Sequence, residues 1–279
     1  MHPKIEVYKN ARVLYTKGRV GNFITGFEKD DGSIQIFEHG VTIMATGGQE
    51  ASPQEYAYEE SDMILTQHEL ENKLEEGAID PADLEAVAMI QCVGSREEPR
   101  NYCSRVCCST SLKHTLYLKK QNPDIQVYIL YRDIMSFGFL ESYYRQAREA
   151  GGIFIRCDLD RKPQVSVEDG KPVIRVMDPI LERELVIPVD ALVLATGIVP
   201  GDQKNLVELF DIDLNQDGFY QEADYKWRPV DMMKEGIFIS GIALSPRSAT
   251  ESIATAEAAA QRALRILNSE ILFYQKKIP

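Results

Sequence analysis

The chain has 279 residues, 44% apolar and 27% charged, with 43 acidic against 31 basic side chains and a net charge of −12. That length can bury a sizeable core in one or two domains, and acidic residues spread along it exclude the clustered Lys/Arg footprint of a nucleic-acid binder. No apolar run approaches the roughly 20 residues of a membrane span, and "MHPKIEVYKN" has no signal-peptide pattern, so the expectation is a cytoplasmic protein that is not transmembrane.

The first fifty residues read as β-structure, with "KIEVYKNARVLY", "GRVGNFITGFEKD" and "GSIQIFEHGVTIMATGG" rich in Val, Ile, Phe and Thr and "DDGS" as a hairpin turn. Thr66 and Glu69 form a capping box opening the helix "TQHELENKLEEG", which Gly77 stops. A buried strand, "LEAVAMIQCVG", precedes the helical "CSTSLKHTLYLKKQNP", ended by Pro123. The strand "IQVYILYRD", the helix "LESYYRQAREAGG" and the strand "IFIRCD" complete a βαβαβ unit with a parallel sheet, followed by the Asp-Gly hairpin "QVSVEDGKPVIRVMD" and the strand "DALVLATG". The last elements are the strand "GIFISGIA" and a helix opened by a second capping box, Ser248 with Glu251. That helix carries Ala at 254, 256, 258, 259, 260 and 263, which suits either close approach of another group or plain helix propensity.

"CVGSREEPRNYCSRVCC", residues 92–108, holds four of the five cysteines. Bunched thiols indicate ligation or redox chemistry rather than a secreted disulfide framework. A redox dithiol usually needs C-x-x-C, which the chain lacks. Structural zinc takes four thiolates in two short knuckles, which the adjacent Cys107 and Cys108 suit poorly. An iron–sulfur cluster accepts irregular spacing, because its ligands spread over a cube, and a helix beginning at this pair would favour thiolates. The residues alone thus put the cluster ahead and leave zinc open.

Two strands end in Ala-Thr-Gly, "VTIMATGG" and "ALVLATGIVPG". With "GIFISG" and the Ala-rich helix they resemble the two-dinucleotide-domain flavoproteins of the thioredoxin-reductase and glutathione-reductase superfamily. That resemblance implies an α/β fold in which an FAD-binding domain, incomplete here, is interrupted by an inserted NAD(P)-like βαβ domain. The boundaries expected are 1–80 for the first part with its β-meander, 81–200 for the insertion and 201–279 for the return. It also implies FAD contacts at Ala45, Thr46, Gly47, Ala195, Thr196, Gly197, Gly241, Ile242, Ser248 and Ser252; the Asp that usually follows the last strand's Gly is replaced by Ile242. No G-x-G-x-x-G occurs, so the expectation is that a preceding segment or a companion chain supplies the flavin pyrophosphate site. The insertion's first strand runs into the cysteines instead of a Gly-rich turn, and NAD(P) is not expected to bind there.

"IQCVGSR", "YCSRVCC", "YILYRDI" and "YYRQARE" together resemble the A subunit of heterodisulfide reductase and its relatives, including flavin subunits of the quinone-interacting membrane-bound oxidoreductase, over nearly the whole chain. The resemblance implies a [4Fe–4S] cluster on Cys92, Cys103, Cys107 and Cys108, electron transfer between it and FAD, electron bifurcation at the flavin, and partner subunits bearing further iron–sulfur centres. It also places Lys113 near the flavin ring. The competing reading is a zinc-stapled scaffold with a degenerate flavoprotein fold; an NAD(P)-dependent disulfide reductase is disfavoured by the missing glycines. Cys157 reads as an inert core thiol and His114 as a helix surface residue. Arg132, ending a strand where a nicotinamide enzyme holds the ribose phosphate, reads as a relic of that role or as a structural or partner-facing group.

Overall fold

The computed structural model describes residues 2–268, which divide into two compact units, one of residues 2–49 with 199–268 and the other of residues 50–198. The first unit opens with the antiparallel meander β1 (Arg12–Arg19), β2 (Asn22–Glu28) and β3 (Ile34–His39), followed by the short strand β4 (Thr42–Met44). The turn between β2 and β3 is the Asp-Gly one, with Gly32 at φ 75°. β5 (Gly48–Glu50) carries the chain out of this unit.

The second unit contains β6 (Ile64–Thr66), α1 (Gln67–Glu75), β7 (Ala86–Ile90), α2 (Cys107–Gln121), β8 (Gln126–Tyr131), α3 (Glu141–Glu149) and β9 (Ile153–Arg156). An antiparallel meander of β10 (Gln164–Glu168), β11 (Lys171–Asp178) and β12 (Arg183–Pro188) follows, then β13 (Ala191–Leu194). The sheet order is β6-β13-β7-β8-β9 and every pairing is parallel. Such a sheet is covered on both faces, which is why its strands read as unbroken apolar runs. Alternate residues divide the core. Ala88, Ile90, Leu130, Leu192 and Leu194 pack with Ile174, Val176 and Ile187 of the meander. Val87, Met89, Val127, Ile129, Ala191 and Val193 pack with Leu70 and Leu118 of α1 and α2. Each Val, Leu, Ile or Met among them buried in full contributes roughly 1.5–3 kcal/mol.

The chain re-enters the first unit through β14 (Ile198–Pro200), which pairs with β5, and continues through α4 (Lys204–Phe210), β15 (Ile237–Ile239) and α5 (Ala249–Leu267). β15 pairs with β4 in parallel, Ile239 opposite Met44. Ala259 and Ala263 of α5 are buried against Val230 and Phe238, so these two small side chains bring the helix close to β15. Ala254, Ala256 and Ala260 are exposed, where only helix propensity accounts for them. Arg262 anchors the same helix, donating to both carboxylate oxygens of Asp231 at 2.9 and 2.7 Å.

Both capping boxes form as the sequence indicates, at Thr66/Glu69 and at Ser248/Glu251. The first unit boundary differs from the expected position at residue 80. β6 is hydrogen-bonded to β13, and residues 50–80 therefore pack with the inserted unit.

Candidate metal centre at the end of the parallel sheet

In a parallel sheet every strand delivers its following loop to one edge. Ligand sites form there where the chain's direction of travel across the sheet reverses. From β7 the chain moves outward to β8 and β9, then returns through β13 on the other side of β7. The reversal lies between β7 and β13, and the cysteine segment follows β7. Arg132 follows β8, Cys157 follows β9, and the turn Ala195–Gly197 follows β13.

The segment is built around this crevice. Cys92, Arg96 and Arg105 all adopt left-handed backbone, with φ 58°, 60° and 64°. Non-glycine residues hold that conformation only where their surroundings enforce it. Arg132 is one enforcer: its guanidinium donates to the carbonyls of Cys92 at 3.2 Å, of Arg96 at 3.3 Å, and of Ser95. Arg100 donates to the Thr196 carbonyl at 3.0 Å, and Tyr102 donates its hydroxyl to the Ile198 carbonyl at 2.9 Å. Ser104 Oγ accepts from the Ile198 N–H at 2.8 Å. A Cβ on Gly197, at φ +82°, would fall 2.4 Å from Ser104 Oγ and 3.1 Å from Ser95 Oγ. This second Ala-Thr-Gly turn is buried by the chain's own cysteine segment. Ala195, Thr196 and Gly197, expected at a flavin, are buried and seat that segment.

The pair Cys107–Cys108 opens α2, which is locked to the sheet. Gln67 of α1 donates to the Cys107 carbonyl at 3.0 Å and to Ser111 Oγ at 2.7 Å, and Gln91 donates to the same Ser111 oxygen at 2.6 Å. The sequence patterns single out neither glutamine, nor Ser111. The one available signal is a glutamine closing the otherwise apolar strand "AVAMIQ".

Burial raises the pKa of Cys107, and the thiols of Cys108, Cys92 and Cys103 raise it further. Burial likewise pushes Cys108 up to about 11, offset in part by an N–H from Met135. Thiols so placed become thiolates when a cation joins them, because metal coordination inverts the local electrostatics. Among the described residues, no group of three or more His, Cys, Asp or Glu side chains closes around a single-ion position. One tetrahedral zinc would need all four sulfurs about 2.3 Å from one point. A cubane takes four cysteine thiolates, and a donor set of four thiols in one segment at this edge of the sheet suits it. Gln91 Oε1, Ser95 Oγ and Thr196 Oγ1 are buried without partners around the segment.

The remaining expected residues fall as follows. Cys157 is buried, its pKa pushed up to about 11 by burial, in keeping with an inert thiol. Lys113 is 58% exposed and pairs with Glu71 of α1 at 2.5 Å. His114 is not a surface residue: it is 2% exposed, and its Nε2 meets the same Glu71 at 2.7 Å. Arg132 serves the structural role, holding the loop. In the other unit, the turns after β4 and β15 lie side by side, with Ser240 N–H donating to the Met44 carbonyl at 3.0 Å. Ala45 and Thr46 are exposed, and a Cβ on Gly47 would meet nothing within 4 Å. Gly241, at φ 64°, lies where its Cβ would be 3.8 Å from Ser252, and its N–H donates to Thr255 Oγ1 at 3.0 Å. Ser248 Oγ is engaged in the capping box, and Ser252 Oγ donates to the Ser248 carbonyl at 3.0 Å. Ile242 is half-buried beside Gly241.

No protein-family model matches the chain. Thioredoxin reductase of Lactococcus lactis aligns over 92% of this chain and 74% of that one, with a TM-score of 0.57 at 16% identity. Bacillithiol disulfide reductase of Bacillus cereus aligns over 91% and 71%, with a TM-score of 0.52 at 19% identity. These likenesses establish the class by fold, a thioredoxin-reductase-like α/β protein. Sequence relatives narrow it. The iron–sulfur A subunit of CoB–CoM heterodisulfide reductase from Methanocaldococcus jannaschii is 36% identical over 241 residues, 79% of this chain and 36% of that protein. One such A subunit from Methanopyrus kandleri is 33% identical over 261 residues, 85% of this chain and 38% of its own length. The A subunit of the ferredoxin:CoB-CoM heterodisulfide reductase of Methanosarcina acetivorans is 38% identical over 184 residues, 63% of this chain and 22% of that protein. The chain belongs to the family of heterodisulfide reductase A subunits and spans between 22% and 38% of the length of these relatives.

Proposed function

We propose that this chain is an electron-transferring oxidoreductase unit of a heterodisulfide-reductase-type complex, with a [4Fe–4S] cluster held by Cys92, Cys103, Cys107 and Cys108. The observation that carries the reading is the placement of the four-cysteine segment at the reversal point of a parallel sheet, where this architecture puts its ligands. The cluster would supply one-electron chemistry; the chain's own residues would supply a fixed frame and shielding from water. Arg132 and the Gln67–Ser111–Gln91 set hold the ligands, and the buried turn Ala195–Gly197 closes the floor. FAD is placed at the open turns Ala45–Gly47 and Gly241–Ile242, ahead of α5, whose N-terminal partial positive charge favours an anionic reduced flavin. In its fullest form the reading has the flavin divide electron pairs between two acceptors on iron–sulfur partner subunits. Among the described residues no helix is long and apolar enough to cross a membrane, and we place the complex in the cytoplasm.

Anaerobic reconstitution with iron and sulfide tests this. The expected product is brown protein with about four iron and four sulfide per chain, electron-paramagnetic when reduced. Colourless protein retaining one zinc after the same treatment overturns the cluster and supports the scaffold reading.

A further inference from the structure

Beyond the four ligands, the structure points to a residue that governs how readily they accept an electron. Arg96 sits four residues after Cys92 in the left-handed region, at φ 60°. Its backbone is pinned on both sides: the N–H donates to the Arg100 carbonyl at 2.8 Å, and its carbonyl accepts from Arg132 at 3.3 Å. The side chain is therefore aimed by the loop. Nη1 lies 3.9 Å from Cys92 Sγ, and Nη2 donates to Asp133 Oδ2 at 2.7 Å. Asp133 in turn touches the other end of the set, its backbone carbonyl 3.8 Å from Cys108 Sγ. One ion pair thus brackets two of the four thiols, the first and the last in the sequence. Three other cations of the unit are directed elsewhere: Arg100 and Arg132 bond carbonyls, and Lys162 pairs with Glu55 and Glu97.

We infer that Arg96 tunes the reduction potential of the cluster, raising it through an N–H···S contact with Cys92 and a positive charge that Asp133 positions and partly offsets. This rests on the cluster reading proposed above. Reduction adds one electron and no proton, makes the thiolate-ligated group one unit more negative, and breaks no bond. Hydrogen bonds to ligand sulfur and nearby positive charge favour that more negative state. Arg96 is a positioning and tuning residue in this scheme, with no role as an acid or base.

The full chain, reconstituted anaerobically, is titrated with dithionite and mediators while the electron-paramagnetic signal is followed; iron and sulfide are measured on every sample. At the potential where the unaltered protein is half reduced, Arg96→Gln should lower the reduced-to-oxidised ratio at least threefold, about 28 mV at about 59 mV per tenfold for one electron. Arg96→Lys, which keeps the charge, should recover part of that shift. Asp133→Asn removes the offsetting anion and should move the ratio the other way. Mere loosening of the loop would not give opposite signs in the two partners of one ion pair. Arg96→Gln with full iron content and an unchanged potential overturns the inference, as does Asp133→Asn shifting in the same direction as Arg96→Gln. Should Arg96→Gln fail to hold iron, Arg96→Lys and Asp133→Asn decide, and unchanged potentials in both overturn it. Unaltered protein that takes up no iron overturns the cluster reading and this inference with it, a result distinct from a cluster whose potential ignores Arg96.

Discussion

Replacing Gly197 by alanine tests whether the turn after β13 is a seat for the cysteine segment. The new methyl group would lie 2.4 Å from Ser104 Oγ, 3.1 Å from Ser95 Oγ and 3.2 Å from Ser104 Cβ, on a backbone at φ +82°. Left-handed backbone costs a residue with a Cβ about 1–2 kcal/mol. Overpacking a filled site costs about 1–3 kcal/mol more. Together these predict a loss of about 2–5 kcal/mol, a fall in Tm of about 4–20 °C at about 2–4 °C per kcal/mol for a unit of this size. The assay is thermal unfolding followed by far-ultraviolet dichroism, run as a double-mutant cycle with Ser104→Ala. Ser104→Ala alone forfeits the bond to the Ile198 N–H, worth about 1 kcal/mol. In the Gly197→Ala background it also removes the closest clashing atom, so the double variant should be more stable than the sum of the two losses. A loss below about 1 kcal/mol for Gly197→Ala, or additivity within about 0.5 kcal/mol, would refute the proposed close packing.

Arg132→Met leaves three loop carbonyls without their shared donor and should cost about 2–4 kcal/mol by chemical denaturation, with Arg132→Lys recovering little because one ammonium cannot span the three acceptors. Serine at Cys92, Cys103, Cys107 or Cys108 should abolish stoichiometric iron, whereas Cys157→Ser should retain it, as iron and sulfide analysis will read. Asp231→Ala removes a nearly buried carboxylate gripped by Arg262; because Arg262 is partly exposed, the expected cost is about 1–3 kcal/mol, read from the denaturation midpoint. Burial holds the pKa of His114 below its ordinary 6.5, and hydrogen bonds from Lys113 and His114 hold Glu71 below its ordinary 4.5. Both depressed groups contribute stability that is present above those ordinary values and lost on acidification, first from pH 6.5 downward for His114 and then from 4.5 downward for Glu71. His114→Gln should flatten the first part of that decline in Tm measured between about pH 8 and 5.

What the sequence disclosed was chiefly local. Thr66 with Glu69, Ser248 with Glu251, and the Asp169–Gly170 turn declare themselves within four residues, because their partners are near neighbours. The parallel strands were legible because burial on both faces leaves no polar alternation to confuse. The elements missed were those defined by distant partners. β6 has three residues and acquires its identity by pairing with β13, about 130 residues later, which is why the boundary expected at residue 80 falls at 49/50. β12 was overlooked because the charged opening of "RELVIP" resembles a loop, and α4 because seven residues show little periodicity. In the site, the four cysteines stood out by number alone. Their support did not: Arg132 reaches back 36 to 40 residues to the loop, and His114 is buried by a pairing with Glu71 that lies 43 residues earlier.

The clamp on Ser111 has a consequence for charge movement. Two glutamines, one from α1 and one from the end of β7, converge on a single hydroxyl one turn into the helix that opens with the paired thiols. The start of that helix is thereby tied to both α1 and the sheet, which leaves the paired thiols little room to shift. For the cluster proposed above, a frame of that kind would keep the reorganisation accompanying each electron small and so favour rapid exchange with whichever carrier comes alongside.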